Sequence, residues 1–339
     1  MPYNRSLSPA PYIYAGMNIR RSAILSLTLL LLHLAVMGFM RDVAGIMTIC
    51  CTGAASVFAS FLIGYHQGKL SFDMNALVAG LLIGFFLPTD SGLAFSFFTA
   101  FMSYFLSWGV FGGRGSSWIN PVMLAVCIAA VCQPGRFVQP VSVEQITAGG
   151  SVFAALETVG GIRGAADQSV TSMLNSVLLH RIGVTLPEGY VSLFLLYPSA
   201  IPAFRYNMLT LLSSIILLST QAMHKTLSFS FLAVYGLSVY FFSSALSGTP
   251  FGRGDILSAM FSSGAFFAAF FVMNDGGSVP RSWGGRLLSG ALTGIFAFCI
   301  IGPGAYPAGI PFAVLCTDCL NPLIEQLEVS VYKRKRGLL

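Results

Sequence analysis

Five aspartates, Asp73, Asp90, Asp255, Asp275 and Asp318, lie in or beside long apolar runs. A carboxylate at membrane depth is costly, so each is a candidate for binding or passing an ion. The first four also fall near predicted helix ends, where a carboxylate serves as an ordinary cap. Asp318 sits well inside the last apolar run, suited to an ion path or to a buried hydrogen bond. Asp90, Asp275 and Asp318 are the ion-path candidates. A second kind of chemistry is offered by Phe111-Gly112-Gly113-Arg114-Gly115-Ser116-Ser117-Trp118-Ile119-Asn120-Pro121. Gly112 and Gly113 let the backbone approach a planar or anionic ligand, and Asn120 brings both a donor and an acceptor. The run is not a P-loop, because no Gly-Lys-Ser/Thr follows the glycines. As a plain inter-helix turn it needs no ligand. The four histidines, His33, His66, His180 and His224, have no metal-ligand spacing, and no Gly-x-Ser-x-Gly occurs. Hence no catalytic residue and no metal ligand is assigned. His33, inside the first run, reads as a histidine satisfied at a helix contact.

These residues are carried by a chain that composition places in a bilayer. Of 339 residues, 55% are hydrophobic and 9% charged, with a mean hydropathy of +0.78. Average soluble domains carry about 25% charged residues. Too few polar groups remain to cover a soluble surface, which excludes soluble enzymes, disordered chains and fibrous proteins. The net charge of +6 comes from basic residues between apolar runs and from Lys333-Arg334-Lys335-Arg336, which marks topology rather than nucleic-acid binding. All seven cysteines fall in apolar stretches and read as buried free thiols.

Apolar runs long enough to span occur at 22–40, 43–65, 73–89, 92–111, 119–132, 205–223, 227–247, 256–273, 287–301 and 306–324. The expected fold is an all-α polytopic membrane protein of about ten transmembrane helices. Alternating sides from a cytoplasmic N-terminus puts twelve of the 18 basic residues on the cytoplasmic side, so both termini are expected there. The chain divides into an N-terminal transmembrane half (1–132), a long periplasmic loop (133–204), a C-terminal half (205–325) and a basic cytoplasmic tail (326–339). Within the loop, Tyr190 to Phe204 is apolar but broken by Pro198 and Pro202, and is expected to dip into the membrane without crossing. Phe85-Phe86 and Phe270-Phe271 each precede an aspartate four residues after the second Phe. Asn120-Pro121 opens one run and Asn321-Pro322 closes another. Such matched interruptions are the trace of an inverted repeat with a site at its interface. Broken helices at membrane depth expose backbone groups that protein, water or a ligand must satisfy.

With those elements assembled, the chain resembles the family of the D subunit of the Rnf electron-transport complex, related to the B subunit of the sodium-translocating NADH:quinone reductase. The resemblance is carried by Ser8-Pro9-Ala10-Pro11, by Ala76-Leu77-Val78-Ala79-Gly80-Leu81-Leu82 running to Leu87-Pro88, and by Phe111-Gly112-Gly113 before Asn120-Pro121. It ends with Gly304-Ala305-Tyr306-Pro307-Ala308-Gly309-Ile310-Pro311-Phe312-Ala313-Val314-Leu315. The resemblance implies a flavin-carrying subunit in a bacterial inner membrane that passes electrons among partner subunits while Na+ or H+ is translocated. It implies FMN joined by a phosphoester to a threonine of the outer loop and installed by a flavin transferase. It also implies a second, non-covalent flavin such as riboflavin, for which Gly112, Gly113 and Asn120 are the candidates. The matching threonine is Thr171, although Ser169-Val170 stand where the family has Gly-Ala, and Asp167 lies four residues upstream instead of six. Read from the residues alone, a solute transporter or channel of inverted-repeat architecture, or a membrane scaffold, fits the same pattern.

Overall fold

The computed structural model describes residues 18–68, 72–111, 117–137, 165–177, 179–183, 185–186, 189–243, 254–274, 278–304, 306 and 308–335. Among them there is no β-strand. The first half comprises α1 (Ile19–Phe39), α2 (Val43–His66), α3 (Met74–Phe86), α4 (Leu93–Gly109) and α5 (Pro121–Cys132). A connecting region follows with α6 (Ala165–Val177), α7 (Tyr190–Leu195) and α8 (Pro202–Arg205). The second half holds α9 (Asn207–Ser219), α10 (Lys225–Phe242), α11 (Ile256–Ser262), α12 (Ala265–Phe267), α13 (Trp283–Ile301) and α14 (Gly309–Lys335). This is an all-α polytopic membrane protein.

Of the ten runs expected to span, α1, α2, α10 and α13 are long and apolar enough to cross a bilayer. The others form shorter or interrupted helices, apart from the last, which is the first part of α14. At 1.5 Å per residue, the 13 residues of α3 and the 12 of α5 reach about 20 Å, against a hydrocarbon core of about 30 Å. Hydropathy counts the irregular apolar backbone beside a half-helix as part of the helix, and so lengthens it. Asn321-Pro322 does not close its helix, contrary to the expectation. Pro322 lies inside α14, which continues unbroken to Lys335.

The short elements are started by side-chain caps. Asp73 accepts from the Asn75 amide (3.0 Å) and Asp255 from Ser258 (3.0 Å), the capping role expected of both. Asn120 Oδ1 accepts from the Val122 amide (2.9 Å), with Pro121 at the first helical position, where its missing N–H costs nothing. Two helices also carry a π-turn, Phe105–Gly109 at the end of α4 and Ala268–Val272 directly after α12.

In each half, one helix pair packs backbone to backbone through a Gly-x-x-x-Gly stripe. Gly80 and Gly84 of α3 lie on α2, and Gly290 and Gly294 of α13 lie on α10. Small residues let helices approach closely where lipid offers no hydrophobic driving force. The halves meet around His33 of α1. It is buried, with Nδ1 bonded to Leu29 O (2.9 Å) and Nε2 3.4 Å from Thr210 Oγ1 of α9. Phe85, Phe267 and Phe271 stand edge to face around its ring, so His33 is satisfied as expected.

The 190–204 stretch is a wedge. Tyr197, Ile201 and Phe204 are buried. Phe204 packs edge-on to Phe86 of the first half and against Gly264, whose φ of +70° and missing Cβ make the room. Arg205 pairs with Asp42 at the start of α2, tying the wedge to the first half.

A Cβ on Gly80 would lie 2.6 Å from Thr52 O and 2.8 Å from Gly53 Cα, both backbone atoms that cannot swing aside. Gly80→Ala is therefore expected to lower stability by about 1–3 kcal/mol through overpacking. Gly135→Ala, where a Cβ meets nothing within 4 Å, is the matched control. Thermal melts of both variants in detergent check this, and equal melting points would disprove it.

Candidate functional site

Two of the residues singled out in the sequence, Asn120 and Asp318, meet. Ser107, in the π-turn of α4, bonds Ile119 O (2.6 Å) and Ser117 Oγ (3.0 Å), which pins the approach to α5. Asn120 then has its backbone N–H directed at Asp318 Oδ2 of α14 (3.1 Å). Its side-chain Nδ2 donates to Val272 O (2.9 Å), the last carbonyl of the other π-turn. Asn120 thus caps α5, satisfies α12's extension and touches α14. Asp318, 4% exposed, lies where the partial positive charge of the α5 N-terminus is felt. Asn321, one turn on, donates to Ser278 O (2.6 Å).

On the other side of Asn120 opens a cavity of about 480 Å³, at the end of the bundle where α1 and α3 begin. This is within the range of small-molecule and cofactor sites. One wall is aromatic and aliphatic, with Trp108, Phe270, Phe271 and Leu82. The rim carries amides from Asn75, Asn120, Gln221 and Asn274. Asn274 is held by the His224 amide (2.7 Å), Ser228 Oγ (3.0 Å) and Ala269 O (3.0 Å). Among the described lining residues none is Lys, Arg, Asp or Glu. Such a lining suits a neutral, flat heteroaromatic group with hydrogen-bonding edges. The π-turns, features that recur at functional sites, put Trp108, Phe270 and Phe271 on it. The sequence singled out Phe270-Phe271 only as part of a repeated pattern and did not mark Trp108, because an i→i+5 turn leaves no compositional mark. Gly112, Gly113 and Asp275 lie outside the described residues.

Asp90 does not join this cluster. It sits in the α3–α4 turn, paired with Arg136 (2.9 Å), both side chains about half exposed. That is an ion pair at the opposite end of the bundle.

Thr171, expected in a long outer loop, lies instead on a helix. It lies on α6, 2% exposed, and Oγ1 donates to Asp167 Oδ1 (2.9 Å). The spacing of four puts both side chains on one face of the helix. Asp167 also accepts from the amides of Gly189 (3.0 Å) and Ser192 (2.7 Å) and from Ser192 Oγ, docking α6 onto α7. Tyr190 of α7 in turn donates to Asp255, the cap of α11. Burial pushes the Asp167 carboxyl upward, but the bonds from Ser192, Gly189 and Thr171 outweigh it and hold the group below its ordinary range.

A carboxylate with a depressed folded-state pKa stabilises above its unfolded value, and that stabilisation is lost as pH falls through the folded one. The α6–α7 contact is therefore expected to hold at neutral pH and to loosen below about pH 4. Asp167→Asn, which sets an amide against donors, is expected to cost on the order of 2 kcal/mol locally at neutral pH. Limited proteolysis within 165–177 reads both effects, and equal cleavage of variant and wild type would refute them.

The sequence of the whole chain agrees with relatives of known kind. Residues 6–333 match the model of the NQR2, RnfD, RnfE family. The D subunits of ion-translocating oxidoreductase complexes from several bacteria are similar to it. That of Actinobacillus succinogenes is 24% identical over 94% of this chain and 95% of its own length. Those of Shewanella amazonensis and Aliivibrio salmonicida are each 26% identical, over 75% of both chains in the first case and 78% and 79% in the second. By the match along nearly its full length, the chain belongs to the NQR2, RnfD, RnfE family.

Proposed function

We propose that this chain is the flavin-bearing membrane subunit of an ion-translocating oxidoreductase complex, working with the other subunits of that complex. Family membership and the function for which its relatives are named support the complex. The observation that carries the flavin is the cavity beside Asn120, with its aromatic wall and amide rim. A flavin bound there would supply one- and two-electron redox chemistry, while the protein supplies position and surroundings. Trp108, Phe270 and Phe271 would hold the ring system, and Asn75, Asn120 and Asn274 its polar edge. With no Lys or Arg among the described lining residues, the cavity favours a flavin without phosphate, such as riboflavin, over FMN. The cavity end of the bundle, with both termini, faces the cytoplasm of a bacterial inner membrane in this reading.

Thr171 is our candidate for the covalent FMN, attached by a flavin transferase on the opposite side. Asp167 is positioned to hold the hydroxyl proton, but the side chain is buried. Attachment therefore requires α6 to lift from α7.

Two measurements test the reading. Riboflavin is expected in the denatured supernatant of purified wild-type protein and largely lost from Phe271→Ala. A flavin-free wild type that takes up a solute in vesicles would favour the transporter alternative and overturn it. Peptide mass spectrometry is expected to find an FMN phosphoester on Thr171, absent in Thr171→Ala. An adduct that persists in that variant would overturn the assignment.

A further inference from the structure

His33 is a buried titratable side chain used neither by the Asn120 cluster nor by the cavity lining. It sits at the seam between the two halves, and the hydrogens around its ring can be counted. Leu29 O can only accept, so Nδ1 of the neutral ring carries the hydrogen and Nε2 is bare. Nε2 faces Thr210 Oγ1 at 3.4 Å, but the Thr210 hydroxyl gives its one hydrogen to Tyr206 O (2.9 Å). The contact across the seam therefore sets lone pair against lone pair. One proton on Nε2 would turn it into a hydrogen bond from α1 to α9 and leave every other partner in place. The centroids of Phe85, Phe267 and Phe271 lie 5.7–5.9 Å from that of His33, the range in which aromatic rings attract a cation.

A lone charge at this depth is costly, so a proton on His33 needs an opposite charge nearby. The groups facing the ring from α3, α9, α12 and the π-turn after it are Phe85, Thr210, Phe267 and Phe271, none of which titrates. On α1 and its flanks the charged residues are Arg20 and Arg21 at the start and Arg41 and Asp42 after the end, more than two turns away. Asp42 is already paired with Arg205. The remaining source is the large cavity. Phe271 lines it and also stands against His33, so one ring separates the two. Ser22 and Ser26 line the cavity from the face of α1 that carries His33. We propose that His33 is the proton acceptor that balances negative charge in this cavity. One electron delivered there by a redox partner in the complex is matched by one proton, drawn from bulk solvent, on Nε2, and the new N–H leaves the net charge unchanged. The inference deepens the flavin reading and rests on it for the source of the charge. His33 acts through Phe271, and so is a positioning residue that fixes where the balancing charge resides.

The test is solid-state nitrogen NMR of the full chain in lipid nanodiscs, isotope-labelled at its histidine rings, before and after reduction with dithionite at neutral pH. His33→Gln assigns the His33 signals by deleting them. Oxidised wild type is expected to show His33 with one bare ring nitrogen, and reduction to replace it with two protonated ones. Thr210→Val, which removes the acceptor, is expected to lower the proton affinity of Nε2 about tenfold. A bare Nε2 in reduced, flavin-bearing protein overturns the proposal. So does a proton that appears on a ring surviving in His33→Gln, such as His224 at the cavity rim. If the purified chain carries no flavin, the flavin reading fails alone, and Ser26→Asp supplies the negative charge in place of reduction. A doubly protonated His33 ring in that variant is then the expected result, and a bare Nε2 overturns the proposal. Should Ser26→Asp fail to fold, as judged by size-exclusion and melting, Ser22→Asp takes its place.

Discussion

The hydrogen bond from the Asn120 amide to the Asp318 carboxylate is the point on which the interior depends. A helix that starts inside a membrane presents amide hydrogens to a medium with no water to accept them, and a carboxylate at that depth presents a charge with no water to solvate it. Each is expensive alone, and each answers the other. Through its side chain the same asparagine also satisfies Val272 O, so one residue closes the exposed ends of two interrupted helices from opposite halves of the chain. The neighbouring Asn321 performs the same service for Ser278 O. The two asparagine–proline pairs, one heading α5 and the other inside α14, are thus parts of one buried polar cluster.

Around that cluster the halves are held by contacts of another kind. The glycine stripes on α3 and α13 bring backbones into touch, and the aromatic residues about His33 fill the seam between halves. Phe204, reaching in from the connecting region, fills the remaining gap above Phe86. Polar bonds fix the broken ends while packing fixes the helices that carry them. The large cavity lies where these arrangements meet.

Much of this was legible in the residues. Asn120-Pro121 reads as a cap followed by the best first helical residue, and the structure uses it so. The isolation of Asp318 from any helix end suited it to an ion path or to a buried hydrogen bond, and the structure shows it buried and accepting from the Asn120 amide. Three features were hidden, for different physical reasons. Half-helices were counted as spans because hydropathy reports burial and not hydrogen bonding. The π-turns had no signature, since they change the register of a helix without changing its composition. The burial of Thr171 was present in its spacing of four from Asp167, which is a helical interval, but only the docking of α6 on α7 turns that face inward.

The two π-turns set an arithmetic on the chain. A π-turn holds one residue more than the α-helical turn it replaces, and one residue of α-helix corresponds to a rotation of about 100°. Removing a single residue from 105–109 or 268–272 would restore ideal helix and swing everything beyond it to another bearing. Trp108 or Phe270 would then face lipid or a neighbouring helix, although no side chain had been replaced. For this fold, the number of residues in those two turns is as much an instruction as their identity, and a tally of substitutions between relatives would not detect its loss.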